Sequence, residues 1–168
     1  MNLWLSTSYK HKTWSIIKHL PDIVIDFSKL KFPSTTTRHP RSLSQWQKLK
    51  GSELRVILLF GDVIFKKYLK HTYYHHLMQL VMTMHYAKAS SVDYEDIERI
   101  NRLTKSFVSK FSTLYGVRHV VQVVHSIAHI GSTVADYGPL SSFTTFNFEN
   151  DLGKIYLFHR KTYLYSLQ

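Results

Sequence analysis

The sequence predicts a mainly α-helical protein, and three observations support that prediction. Apolar residues recur at spacings of three and four over residues 94–115, with polar caps at both ends. The same helical period is present in residues 51–69 and 72–88. No set of alternating strand and helix patterns indicates a parallel sheet. The length of 168 residues corresponds to one structural domain.

The first third of the chain shows the weakest helical period. Residues 32–40 are polar and bounded by Pro33 and Pro40, which is typical of a loop. We therefore divide the chain into a basic, loosely structured N-terminal segment, residues 1–40, and a helical domain, residues 41–168. In that domain Ser42 or Ser44 can cap a short helix through Lys50.

Helices are predicted next over residues 51–60 and from residue 63 to residue 69, with an interruption at Gly61, and then over residues 72–88. The clearest helix covers residues 94–115, with Asp93 as its N-cap and Gly116 as the residue that ends it. Residues 117–124 are rich in β-branched side chains and can form a strand by propensity. A turn at residues 138–139 precedes a last helical pattern over residues 148–160.

Composition excludes several classes of protein. Hydrophobic residues make up 44% of the chain, which is too apolar for a disordered protein. The absence of Cys excludes disulfides and thiolate metal ligands within this chain. The longest apolar run, residues 56–60, is far shorter than a membrane span, and no secretory signal pattern is present. We therefore expect an intracellular protein without a membrane partner.

The net charge of +11 favours a polyanionic partner, with DNA as the first expectation. Residues 1–50 carry nine Lys and Arg against two Asp, a net charge of +7. Charge alone does not distinguish a nucleic-acid-binding protein from a small protein that is merely basic. The candidate DNA-binding residues in this part of the chain are Lys10, Lys12, Lys18, Lys29, Lys31, Arg38 and Arg41.

Two places contain residues with the chemistry of a site. His125 and His129 are four residues apart, so both imidazoles can face one side of a helix and hold one metal ion. The alternative is a pair of hydrogen-bonded histidines with a packing role, and the other nine histidines follow no ligand pattern. Glu149 lies between aromatic residues, where it either faces a helix N-terminus or holds a cation. From the residues alone, the helix-start interpretation is favoured.

Seven blocks of the chain, in this order, resemble the C-terminal catalytic portion of transposases from eukaryotic CACTA-like DNA transposons and of the proteins derived from them. They lie in residues 38–43 (RHPRSL), 50–59 (KGSELRVILL), 93–99 (DYEDIER), 114–116 (LYG), 124–130 (VHSIAHI), 137–143 (YGPLSSF) and 146–154 (FNFENDLGK). The order and spacing of the blocks carry the resemblance, which covers roughly residues 38–160.

The resemblance implies a helical insertion and C-terminal region attached to an RNase-H-like core. In the family, two Asp and a late Glu hold two Mg²⁺ or Mn²⁺ ions, and the late Glu corresponds to Glu149. A His pair corresponding to His125 and His129 joins a Cys-x-x-Cys in related recombinases to bind a structural zinc. The family also implies a nuclear location.

This sequence departs from the family, because the strands that carry the first two Asp are largely missing and no Cys-x-x-Cys is present. We therefore expect a truncated or domesticated transposase-derived protein that is inactive alone, needs no cofactor alone and binds DNA weakly without base specificity. Exposed apolar surface left by the truncation would favour homo-oligomers. Two alternatives stay open: a partial nuclease that completes a two-metal site with another chain, and a basic interaction module without a DNA role.

Overall fold

A computed structural model describes residues 1–33 and 39–142 of the chain. This part consists of helices and turns and contains no strand, which confirms the prediction of a mainly α protein. The α-helices are α1 (Asn2–Leu5), α2 (Leu20–Ser28), α3 (Gly51–Phe60), α4 (Asp62–Tyr68), α5 (His71–Ala87), α6 (Tyr94–Tyr115), α7 (Gln122–Ser126) and α8 (Ile130–Tyr137). Short 3₁₀ turns lie at Thr7–Tyr9, Ile17–His19, Leu43–Lys48, Val117–His119 and Ile127–His129. The helix predicted over residues 148–160 lies outside the described residues.

Helix α6 begins and ends where the sequence predicts. The Asp93 carboxylate accepts a hydrogen bond of 2.8 Å from the backbone N–H of Asp96, so one of the unpaired donors of the first turn is satisfied. At the other end Gly116 adopts a φ of 93°, a conformation that side chains with a Cβ rarely adopt. These two residues fix the length of the longest helix of the described part.

Helices α5 and α6 pack antiparallel and form the centre of the core. The ring of Phe107 in α6 stacks on His76 of α5 with ring centroids 4.1 Å apart. One turn later, Phe111 lies 4.7 Å from Tyr115, which also contacts Tyr73 of α5. All five side chains are buried, so the stripe predicted along α6 does face the core.

Residues 1–33 belong to this same core, so the prediction of a loosely structured N-terminal segment is wrong for them. Leu5, Ile16, Ile23 and Phe27 are buried together with core residues from beyond residue 40. Burial of these four apolar side chains stabilises the segment, although its weak helical period gives no sign of a stable structure. The boundary placed at residue 41 therefore does not separate two hydrophobic cores.

The interruption between α3 and α4 is a point of close packing against α2. A Cβ at Gly61 would lie 2.5 Å from the carbonyl oxygen of Ile57 and 2.7 Å from Cζ of Phe27. No larger residue fits there without a shift of α2 or of the chain between the two helices. The predicted break at Gly61 is confirmed, and this contact explains why a glycine occupies the position.

The prediction of a strand over residues 117–124 is wrong, since this segment forms a 3₁₀ turn and the start of α7. Only Val124 is buried, whereas Val117, Val121 and Val123 are exposed. A strand needs a partner for its backbone groups, and the described residues contain none. Propensity alone therefore does not decide the structure of this short β-branched run.

None of the helices in the described ranges has the length and the apolar composition needed to cross a bilayer.

The buried His76 makes stability depend on pH. Its Nε2–H donates to the carbonyl oxygen of Phe107 at 2.9 Å, and burial lowers the pKa of the imidazole, opposed by this hydrogen bond and assisted by the charge of Lys110. A lowered pKa in the folded state means that unfolding takes up protons below the unfolded pKa of about 6.5. We expect the melting temperature to fall between pH 7 and pH 5.5, and His76→Gln to show a smaller fall. Equal pH profiles for the two proteins would contradict this role of His76.

Candidate functional site

The chain after α1 brings aromatic and basic residues to the C-terminal end of α6. The ring centroid of Tyr9 lies 5.2 Å from that of His119, and the ring of Trp14 lies 6.2 Å from the same imidazole. Nζ of Lys12 lies 5.8 Å from the centroid of the Trp14 ring, and Nε of Arg118 donates to Nε2 of His119 at 3.1 Å. We call these five residues the basic–aromatic cluster.

The electrostatics of the cluster are those of a positive surface. Burial lowers the pKa of His119, and the charges of Arg118 and Lys12 lower it further. No acidic residue contributes to that shift. The indole N–H of Trp14 is buried and has no hydrogen-bond partner among the described residues. The cluster therefore combines uncompensated positive charge with aromatic rings, a composition that suits contact with a polyanion.

The other candidate DNA-binding lysines of residues 1–33 lie on the surface. Lys10, Lys18 and Lys31 are exposed, and none of them forms an ion pair with a carboxylate of the described residues. Lys29 differs, because its Nζ lies 3.6 Å from the Asp26 carboxylate, which also accepts from Lys67 at 2.9 Å. The hydrogen bond from Lys67 is the largest cause of the lowered pKa of Asp26. Lys29 is thus partly neutralised.

Arg41 is 37% exposed at its side chain, but its guanidinium is bound by a buried carboxylate. Its Nε donates to Oε1 of Glu53 at 2.9 Å and one terminal nitrogen donates to Oε2 at 2.7 Å, while the Glu53 side chain is fully buried. Backbone N–H groups of Arg41 and Lys50 donate to the same carboxylate at 2.9 and 2.8 Å. Arg41 therefore holds the fold together, and a DNA contact by Arg41 stays a prediction. Arg38 lies outside the described residues.

The histidine pair meets the geometric part of the zinc expectation. Nε2 of His125 and Nε2 of His129 are 3.4 Å apart, and both side chains are exposed. Two zinc–nitrogen bonds of about 2.0–2.1 Å at a tetrahedral angle require a separation of roughly 3.3 Å. A structural zinc needs four ligands, and among the described residues no group of three His, Asp or Glu could hold an ion. Glu149 lies outside these residues, so its role stays a prediction.

A second pair of histidines was missed by the sequence analysis. His71 and His75 lie on the first two turns of α5 with their Nε2 atoms 2.9 Å apart, within hydrogen-bonding distance. The signal was present, since these residues have the same spacing of four as His125 and His129. The structure adds that the pair borders a cavity together with Lys110 of α6.

Acidic residues are concentrated in another region of the described chain. Four of them, at positions 93, 95, 96 and 98, lie at the start of α6, where they favour the helix N-terminus. Arg99 pairs with two of these acids, at 3.1 Å from Glu95 and 3.1 Å from Asp96. The positive charge at the other end of α6 is therefore left without these counter-charges.

Comparison of the chain with protein-family models, with curated proteins and with solved structures finds no match.

Proposed function

We propose that this chain is a transposase-derived protein that binds DNA without base specificity and does not cleave it alone. The observation that carries the DNA-binding part is the basic–aromatic cluster, where Lys12, Arg118 and His119 meet with no acidic counter-charge. Release of counterions from DNA rewards such a surface regardless of sequence. The same proposal implies a nuclear location.

Neighbouring surface lysines extend the cluster. Lys10 directly follows Tyr9 in the chain, and Lys18 lies four residues after Trp14 in the second 3₁₀ turn; both are exposed and without an acidic partner in the described chain. Phosphate contacts by lysine act mainly through charge, so they place a duplex without selecting a base sequence. This supports weak, non-specific binding.

Three acidic residues that precede Glu149 in the chain support the proposal that this protein does not cleave DNA alone. Two-metal strand cleavage needs several carboxylates around the ion pair. Asp22 and Asp26 lie in α2, and Asp62 lies at the start of α4, so none of these three is on a strand. Asp26 is already bound by Lys67 and Tyr68 at 2.9 and 3.0 Å. Glu149 alone cannot supply the remaining ligands.

Substitution of surface lysines tests the DNA-binding proposal. We expect the triple variant Lys10→Gln, Lys12→Gln, Lys18→Gln to bind a labelled duplex of arbitrary sequence about ten- to thirty-fold more weakly, because up to three phosphate contacts are lost. The matched control Lys48→Gln, Lys66→Gln, Lys105→Gln removes the same charge from exposed positions elsewhere. Fluorescence anisotropy at fixed salt measures both. Equal losses in the two variants would reduce the proposal to an effect of net charge.

The two alternatives make different predictions. A partial nuclease would nick DNA with Mg²⁺ or Mn²⁺ once its partner chain is added, and Glu149→Gln would abolish the nicking. A basic interaction module would not bind the duplex at low salt. Homo-oligomerisation stays a prediction as well; the exposed Val117, Val121 and Val123 are apolar surface that it could use.

A further inference from the structure

A groove runs along the outer junction of α5 and α6. It consists of two cavities of about 430 and 470 Å³ that share Gln79 in their lining. One flank is a stripe on α5 from His71 to Tyr86, and the other is a stripe on α6 from Arg99 to Thr113. Fifteen residues of rise from His71 to Tyr86 give a groove about 22 Å long.

Basic and hydroxyl-bearing side chains line this groove together with the apolar Met82, Leu103 and Leu114, and no acidic side chain does. Arg102 and Lys110 are exposed on α6 and form no ion pair with an acid of the described residues. Their separation of eight residues places them roughly 12 Å apart along the helix. Ser109 and Thr113 add hydroxyl donors beside Lys110. The charge and the donors of the groove are complementary to a row of phosphates.

The floor of the groove carries an unsatisfied acceptor. Nε2 of Gln79 donates to Oγ of Ser106 at 2.8 Å, while Oε1 of Gln79 is buried and has no partner among the described residues. A buried polar atom without a partner is costly. Donors on the edge of a base could satisfy it, such as the ring N3–H of thymine or the exocyclic amino groups of adenine and cytosine. A backbone phosphodiester could not, because it presents only acceptors, so this contact would fall to a base.

The width of the groove selects a single strand over a duplex. Packed helices lie about 8–10 Å apart, axis to axis. The major groove of a DNA duplex is about 12 Å wide, and the duplex as a whole is wider than that. A duplex can therefore touch only the rims of the α5–α6 groove. An extended single strand can place its phosphates along Arg102 and Lys110 and its bases against the Gln79 floor and Tyr86.

We propose that the α5–α6 groove binds a segment of single-stranded nucleic acid. This proposal rests on the proposed function. It adds a second binding surface and specifies single-stranded nucleic acid as what that surface binds. One end of the groove lies near the basic–aromatic cluster, because Lys110 and Thr113 are in the last turns of α6 and Arg118 lies in the 3₁₀ turn that follows that helix. A strand leaving the groove at that end is thus near a second positive surface.

Anisotropy with a fluorescein-labelled oligothymidine of about twelve nucleotides tests the groove. We expect Arg102→Gln with Lys110→Gln to weaken binding about tenfold and to lower the log–log salt slope by about 1.4, at 0.7 per lost contact. The control Lys66→Gln with Lys105→Gln removes the same charge, with Lys105 on the same helix but outside the groove, and should change affinity less than about twofold.

The outcomes separate the two proposals. Equal losses in both double variants, or displacement of the oligothymidine by poly-glutamate of equal charge as effectively as by unlabelled oligothymidine, would overturn the groove proposal. Duplex binding that depends on Lys10, Lys12 and Lys18, without any binding of oligothymidine, would overturn the groove and leave the proposed function standing. Failure to bind either nucleic acid would overturn both.

Discussion

Replacing Glu53 by Gln is expected to lower the melting temperature by an amount on the order of 10 °C. The buried carboxylate accepts four donors: two from the Arg41 side chain and two from backbone N–H groups. An amide would present a donor to Arg41 and leave that guanidinium without its counter-charge. Breaking one partner out of a buried ion pair is among the costliest changes in a protein.

The exposed pair of Glu95 with Arg99 provides the control. Glu95→Gln makes the same chemical change where the acid is 76% exposed, and the melting temperature should move by no more than about 2 °C. Hydrogen bonds and charge from Arg41 hold the pKa of Glu53 far below its usual range. Its stabilisation is therefore complete above the unfolded pKa of 4.5 and is lost as the pH falls below that value. Similar small shifts in both variants would contradict the structural role of Glu53.

Truncation of Phe107 to Ala should destabilise the fold by about 3–5 kcal/mol. The ring is 6% exposed and stacks on His76 within the α5–α6 core, so its removal leaves a cavity and also uncovers the imidazole. Denaturant unfolding followed by circular dichroism measures the change in the free energy of unfolding.

Tyr94 serves as the matched aromatic control, because it lies on the same helix and is 76% exposed. Tyr94→Ala should change the free energy of unfolding by less than about 0.5 kcal/mol. A loss below about 1 kcal/mol for Phe107→Ala would mean that the α5–α6 core is not packed as described.

Helices that have their own caps and apolar stripes could be predicted from the sequence. The caps at Asp93 and Gly116 and the apolar stripe through Phe107 act within a few residues, so they can be read before any tertiary contact is known. The break at Gly61 could be predicted in the same way, although the close contact of Gly61 with Phe27 could not.

Contacts between distant parts of the chain could not be predicted in this way. The Arg41–Glu53 pair joins positions twelve residues apart, and each residue alone resembles an ordinary surface charge. Residues 1–33 lack a strong helical period because they form only short helices and 3₁₀ turns. Leu5 and Ile23 in this segment are nevertheless fully buried. Their burial depends on packing with core residues from beyond residue 40, which no local pattern specifies.

The candidate site, like the fold, could be predicted only in part from the sequence. The excess of lysine in the first third predicted a basic surface, but only the fold joins Lys12 to Arg118 and His119, which are more than a hundred positions away. The α5–α6 groove is formed by two helical stripes that each look like an ordinary solvated face. Their antiparallel packing turns them into one lined groove.

The most direct test of the account is the salt dependence of DNA binding by the full chain. Affinity for a duplex of arbitrary sequence should fall linearly on a log–log plot between about 50 and 200 mM salt, with a slope near −0.9 per phosphate contact and therefore of about −3 for contacts by Lys10, Lys12 and Lys18. The same slope should hold for an unrelated duplex sequence. Binding that is insensitive to salt, or no binding at 50 mM salt, would contradict the claim that this protein is a non-specific DNA-binding protein.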